Sequence, residues 1–399
     1  MHAVTFAMHA VTFAMPVVTF AMPVVTFAMH VVKFAIHAVT TAMSIVTTAL
    51  SHVIAINHIH IPLTFIGRII ARRATMKKIF SPIRTTILFL LLLVSPAVFS
   101  QYESVDARVK TYPASFSDAQ KLADRINADF KTDDAKARAI FTWLAVNIKY
   151  DMKAYYSQRN GGVAFSYTTP EDKLIKEREF RLKLVKKTLR EQKAICEGYT
   201  SLFTYLCALT GLDAVIIPGT SKTDHSQIGK LPTQSDHTWN AVKINGKWQL
   251  VDVTWAAGVV VGSERKFTQV FNDAYFCTDP DKFFLNHYPD DEHWLMTDRS
   301  AQEFAELPFY YPTYLKSNYE INANKGAIIF PKNVAVRFNI KNLKPDDELY
   351  YITSRDNMLD QLEVDENNNF IIPPSTKLSG YLTIFVNQKP LVAYKIVKG

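Results

Sequence analysis

Cys196, His237 and Asp252 are residue types that together make a nucleophile, its proton acceptor and a carboxylate to hold that acceptor. Cys196 stands in Ala194-Ile195-Cys196-Glu197-Gly198-Tyr199, at the predicted start of a helix. There the positive end of the helix dipole and unbonded backbone N–H groups favour a thiolate and can hold a developing oxyanion. Glu197 opposes that effect unless its carboxylate points away. Of 11 histidines, only His225, His237, His287 and His293 lie beyond residue 100, so the search for a base is short. Taken singly, each residue has a plainer reading: a buried structural cysteine, a strand histidine in a satisfied polar patch, a surface acid. The joint reading rests on whether the fold brings them together.

A hairpin decides that question. His237 opens the run His237 to Ile244, and after Asn245-Gly246 a second run extends from Lys247 to Trp255. Asn-Gly between two β-rich runs predicts a two-residue type I′ turn. That turn sets Ile244 opposite Lys247, Trp239 opposite Asp252 and His237 opposite Thr254. Asp252 then lies diagonally across from His237 on the same face, within about 7 Å. A carboxylate there accepts from Nδ1–H and leaves Nε2 for a thiol. A three-residue loop would put the two side chains on opposite faces, so the reading depends on this turn.

Helices precede the hairpin. Ser117-Asp118-Ala119-Gln120 predicts an N-cap, followed by Leu122, Ile126 and Phe130 at helical spacing. A second helix starts near Thr132, with Asp133 and Asp134 in its first turn. A basic amphipathic helix covers about Lys176 to Arg190, and the Cys196 helix runs to Leu209 and stops at Gly211. Helices followed by antiparallel strands define an α+β domain. From about Tyr311, short strands with Asn-rich or Pro-containing turns predict a small all-β sandwich without evident chemistry, suited to packing or recognition.

Cys196-Glu197-Gly198-Tyr199, His237-Thr238-Trp239-Asn240, and Trp248 through Trp255 resemble the three motifs of the transglutaminase-like superfamily, above all its bacterial and kyphoscoliosis-peptidase-like group. Arg138 through Leu144, Lys149-Tyr150-Asp151 and Tyr275 through Pro280 are similar to its flanking segments, so the resemblance covers about residues 110–305. It implies a papain-like core in which Cys196 is the nucleophile, His237 the general base and Asp252 the orienter. Acyl transfer would pass through a thioester that water or an amine resolves, with hydrolysis of a peptide or amide favoured over cross-linking. The alternative is a non-catalytic scaffold that binds a peptide or cell-envelope partner. Neither a cofactor nor a metal is required. His225, in the polar and mobile-looking stretch Ser221 to Gln234, is read with His287 and His293 as surface or structural, since no ligand-like spacing surrounds them.

The rest of the chain places this domain. The formal net charge is +8, but the first 100 residues hold seven of the 45 basic residues and no acid, which leaves 38 basic against 37 acidic residues in 101–399, a net of +1. Nucleic acid therefore loses its compositional support as a partner. Residues 1–75 open with an apolar seven-residue repeat (MHAVTFA, MPVVTFA and variants) interrupted by Pro16 and Pro23. This is no heptad zipper; it reads as low-complexity sequence outside the mature protein, with an aggregation-prone β segment or poor membrane span as the other reading. Residues 76–100 have a basic start (Lys77, Lys78, Arg84), the apolar run Ile87 to Val94, and small residues before Gln101. That is a secretory signal, too short for a comfortable span. The expectation is a secreted or periplasmic protein without a membrane span in its mature part, a domain over 101–308, and a β-sandwich over 309–399 that meets a cell-envelope partner. Cys207 lies too far along the Cys196 helix to bond with it, so Cys207 and Cys277 either pair or are buried apolar thiols; burial is favoured.

Overall fold

The computed structural model describes residues 102–158, 166–261, 266–331, 334–354, 358–374 and 379–398. The repeat, the export signal and the expected mature terminus at Gln101 lie outside the described residues. Helix α1 covers 102–109, α2 Ala119–Asp129 and α3 Asp133–Asn147. The cap of α2 is Asp118, whose side chain accepts from the Lys121 N–H, one residue beyond the Ser expected. Helix α3 is buried nearly all round from Ala135 to Ala145 and forms the centre of the core.

Directly after α3, β1 (Lys149–Tyr150) pairs in parallel with β2 (Lys193–Ala194), which leads into the Cys196 helix. Between them α4 (Pro170–Glu191) begins with Thr169 capping the Asp172 N–H and proline in the first turn. Helix α5 covers Cys196–Leu209, and Gly211 just beyond it has φ +82°, the left-handed conformation that a glycine supplies cheaply.

Strands β3 (Ala214–Ser221), β4 (His237–Ile244), β5 (Lys247–Val251), β6 (Phe276–Thr278) and β7 (His287–Pro289) form one antiparallel sheet in the order β6-β5-β4-β3-β7. Asn245 (φ 50°) and Gly246 (φ 78°) make the two-residue turn, and Ile244 pairs with Lys247 as the sequence predicts. The second strand is shorter than expected. It ends at Val251, and helix α6 (Val253–Ala257) follows, so Thr254 is helical and does not face His237.

In the C-terminal region one sheet runs Phe309–Tyr310, Lys389–Lys398, Gly380–Val386, Leu349–Thr353, Asp360–Leu362, with Ala327–Phe330 added in parallel to Lys389–Lys398. Glu320–Ile321, Val336–Lys341 and Asn369–Ile372 form a second sheet. Phe338 of the second sheet stacks on Phe370 and meets Tyr394 of the first at 5.6 Å between ring centroids. The whole is α+β, and one apolar core runs without a break from the helices into these strands.

The stretch Ser221 to Gln234 is held, contrary to the sequence reading. Asp224 and Gln227 form a capping box, the His225 ring lies 4.0 Å from that of Tyr381, and the Gly229 N–H donates to the Ala305 carbonyl. Buried Lys222 donates to the carbonyls of Phe304 (2.5 Å) and Leu307 (3.0 Å), and burial pushes its amine down to about 7. The loop leading to His237 is thus braced by the elements that follow the sheet.

Candidate active site

Cys196 is the first residue of α5, and Ile195 before it is extended (φ −95°, ψ −177°). The first N–H groups of a helix, here those of Cys196 and Glu197, have no partner within it. The glycine of the Cys-Glu-Gly-Tyr motif allows a close approach of α4. A Cβ on Gly198 would lie 2.6 Å from the Ala194 Cβ and 2.7 Å from the Thr188 Oγ1. Tyr199 donates to the Ile148 carbonyl at 2.5 Å, and Thr200 to the Cys196 carbonyl at 3.0 Å, which fixes this first turn. Glu197 does not turn away: its Oε2 accepts from the Cys196 thiol at 3.3 Å.

His237 opens β4 and is buried, and its Nε2 lies 2.7 Å from the Asp252 Oδ2. Sequence reasoning assigned the other nitrogen to the carboxylate. The ring is turned so that Nδ1 is the nitrogen left for the thiol, and the Cys196 sulfur is close enough to act on the imidazole. The change follows from where Asp252 sits. It caps α6 rather than continuing β5: its Oδ1 accepts from the Trp255 N–H at 2.9 Å, while its own N–H donates to the Tyr275 carbonyl at 3.0 Å.

His287, read from sequence as surface or structural, is buried, and its Nε2 donates to the same Asp252 Oδ2 at 2.9 Å. Its Nδ1 lies 2.7 Å from the Asn286 Oδ1, while the buried Asn286 Nδ2 and Tyr275 hydroxyl have no hydrogen-bond partner among the described residues in this amide orientation. Rotating that amide by half a turn satisfies all three. Nδ2 then donates to a neutral imidazole and Oδ1 faces the Tyr275 hydroxyl, which is within hydrogen-bonding reach of Asn286. Burial lowers the His287 pKa, in keeping with the neutral ring. Nothing local in the sequence pairs His287 with Asp252, because β7 joins the far edge of the sheet. The available signal is an Asn-His pair inside the apolar run Phe283-Phe284-Leu285, since buried polar groups need partners.

One carboxylate therefore serves two histidines whose pKa values are pushed in opposite directions. Burial pulls the His237 pKa down, but the Asp252 carboxylate and the Cys196 sulfur outweigh it, and the imidazole is pushed up to about 10. Asp252 is held below the usual carboxylate range: burial opposes this, and the charge and hydrogen bond of His237 prevail, with His287 adding to them. A base pushed up in this way takes a thiol proton readily. His237, Asp252 and His287 place their ligating atoms within 4.8 Å of one another. The 2.7 and 2.9 Å separations are nonetheless those of hydrogen bonds, shorter than the ~3.3 Å between ligands of a tetrahedral zinc.

All three cysteines are free. Burial pushes the Cys207 thiol up, and burial pushes Cys277 up to about 12, opposed by Arg138. Cys207 is fully buried and Cys277 half-buried, so the favoured apolar reading holds for both.

Residues 120–253 match the model of the transglutaminase-like superfamily, which supports a transglutaminase-like domain in this part of the chain. The chain is 34% identical over 213 residues to human kyphoscoliosis peptidase, covering 53% of this chain and 29% of that protein. The mouse kyphoscoliosis peptidase is 33% identical over 212 residues (52% and 29%), and the Lim and transglutaminase domain protein ltd-1 of Caenorhabditis elegans 29% over 255 (60% and 32%). The chain thus spans less than a third of the length of each of these relatives.

Proposed function

We propose that this chain is a thiol-dependent acyl-transfer enzyme acting on peptide or amide bonds. Cys196 attacks the carbonyl carbon, His237 takes the thiol proton on Nδ1 and returns it to the departing amine, and Asp252 holds the ring and stabilises the imidazolium. Water then resolves the thioester with His237 again as base. The observation that carries this reading is the buried 2.7 Å bond between His237 and Asp252, beside a thiol at a helix start. Hydrolysis is preferred to amine transfer because the human and mouse relatives reported above are named as peptidases.

The test is intact mass after brief exposure to iodoacetamide near neutral pH. Wild type should gain one adduct, mapped to Cys196, and Cys196→Ala none on that timescale, because Cys207 and Cys277 are held as thiols. Equal labelling of the three would remove the case for Cys196.

Export is part of the proposal and rests on residues 76–100. Secreted protein should begin at Gln101 or within a few residues of it; mass spectrometry that finds the heptapeptide repeats in it would overturn this. Among the described residues no helix is long and apolar enough to cross a membrane. A cell-envelope partner for residues 309–399 rests on the export reading alone.

A further inference from the structure

We propose that the cavity beside Cys196 is a specificity subsite in which Glu197 receives the lysine or arginine side chain of the substrate residue whose carbonyl is attacked. The proposal rests on the acyl-transfer reading above and supplies the substrate class that reading leaves open. Along α5, Cys196, Thr200 and Thr204 follow one another a turn apart and share the face toward β4: the Thr200 and Thr238 hydroxyls lie 3.3 Å apart, and the Thr204 hydroxyl accepts from the Asn240 amide at 2.9 Å. Glu197 stands one residue round the helix, toward α4, on the side where Gly198 meets Thr188. The sulfur therefore lies between His237 on β4 and Glu197 on the side of α4. A departing amine must face His237 to receive its proton, which leaves the acyl residue on the side of Glu197.

Glu197 also lines the cavity between α4 and the β1/β2 pair. Ala154, Phe180, Leu184, Ala194 and Ile195 give this cavity apolar walls, suited to the methylene stem of a long cationic side chain. Asp151, Lys187 and Lys193 add charge to it. Lys193 pairs with Asp151 at 3.4 Å, and the Asp151 carboxylate also accepts from the Ala154 N–H at 3.0 Å. Burial pulls that carboxyl up, but the Ala154 N–H, Lys193 and the exposed Lys187 outweigh it and hold it below the usual range. Both lysines thus act on Asp151. Among the described residues Glu197 makes no ion pair, and the Cys196 thiol alone donates to its carboxylate. A half-buried carboxylate without a counter-ion, beside apolar walls, is the complement of an ammonium or guanidinium on an aliphatic stem.

Occupation of the subsite also serves the nucleophile. At 3.3 Å the Glu197 carboxylate accepts the thiol hydrogen that His237 must take. A cation bound to Glu197 competes for that carboxylate and leaves the thiol with His237 as its acceptor. The substrate cation keeps its proton throughout, and the bonds made and broken are those of the acyl transfer described above.

Two esters that differ only in the cation test this. The p-nitrophenyl ester of Nα-benzyloxycarbonyl-lysine carries the ammonium, and that of benzyloxycarbonyl-norleucine has the same aliphatic stem without it. On the full chain near neutral pH, the lysine ester should acylate wild type about 10–100-fold faster, read as nitrophenolate release, the range of one charge-assisted hydrogen bond. Glu197→Gln should bring that ratio to within about threefold, the residue left by exposed charges, without slowing the norleucine ester. Glu197→Asp should restore part of the preference. Equal rates with the two esters in wild type overturn the subsite and leave the triad standing. A preference that survives in Glu197→Gln overturns the assignment to Glu197. Equal losses with both esters in that variant overturn it too, since Glu197 would then act on the thiol or the fold. Wild type whose Cys196 is alkylated by iodoacetamide but acylated by neither ester overturns both this proposal and the enzyme reading.

Discussion

Asp252→Asn should lower the rate of acyl-enzyme formation by about 10³–10⁴-fold while the protein stays folded. The size follows from the number of donors aimed at this carboxylate. Oδ2 accepts from both His237 and His287, and Oδ1 from the Trp255 N–H. An asparagine offers one acceptor oxygen and turns an NH₂ group toward the other set of donors. If the oxygen keeps the α6 cap, the NH₂ faces His237, which must then accept on Nε2 and carry its proton on Nδ1. That is the wrong tautomer to receive a proton from Cys196. The charge that pushes His237 up to about 10 is lost as well, so its titration should move down.

Linkage has the matching sign. A histidine with a raised folded pKa contributes stability that is complete below its unfolded value of about 6.5 and is lost as pH rises through about 10. Wild type should therefore lose more stability than Asp252→Asn between pH 6.5 and 10. Acylation rates against pH, with thermal melts over the same range, check both statements. An asparagine variant within tenfold of wild type would remove Asp252 from the mechanism.

The site was legible where a local rule fixed it. Asn245-Gly246 demands positive φ at both positions, and that alone set the register bringing His237 and Asp252 near one another. The helix start at Cys196 was legible for a similar reason, since the Gly211 stop and the apolar spacing bound α5 from both sides. What failed was non-local. Continuing β5 through Thr254 follows from β-branched residues, but the short side chain of Asp252 captures the Trp255 N–H and starts a helix instead. That turn reorients the carboxylate and with it the imidazole, so the nitrogen assignment reversed. His287 reaches Asp252 only because β7 joins the sheet at β3, a pairing that no spacing near residue 287 encodes.

Arg138→Met should be the most destabilising single change outside the site, by about 3–5 kcal/mol, or on the order of 10 °C in Tm. Arg138 of α3 makes two bonds to Asp106 of α1, at 2.8 and 2.6 Å, and the Thr142 hydroxyl adds a third at 2.6 Å. The guanidinium lies 5.1–5.5 Å from the ring centroids of Tyr102, Phe141, Phe271 and Phe276, which exclude water from the pair. Methionine fills the aromatic cage but leaves the buried Asp106 carboxylate with Thr142 alone, and an unmatched buried charge costs more than the pair gains. Asp106→Leu added to Arg138→Met removes that charge, and the double variant should recover most of the loss, which separates the charge effect from lost packing. The chemistry should respond differently. Helix α3 runs directly into β1, but the register of β1 is held by β2 and the motif turn of α5, not by Arg138. Acylation per folded molecule at 25 °C should stay within a few-fold of wild type. Denaturant midpoints check the stability arm, and a cost below about 1 kcal/mol for Arg138→Met would mean that the cage, and not the ion pair, holds α1 to the core.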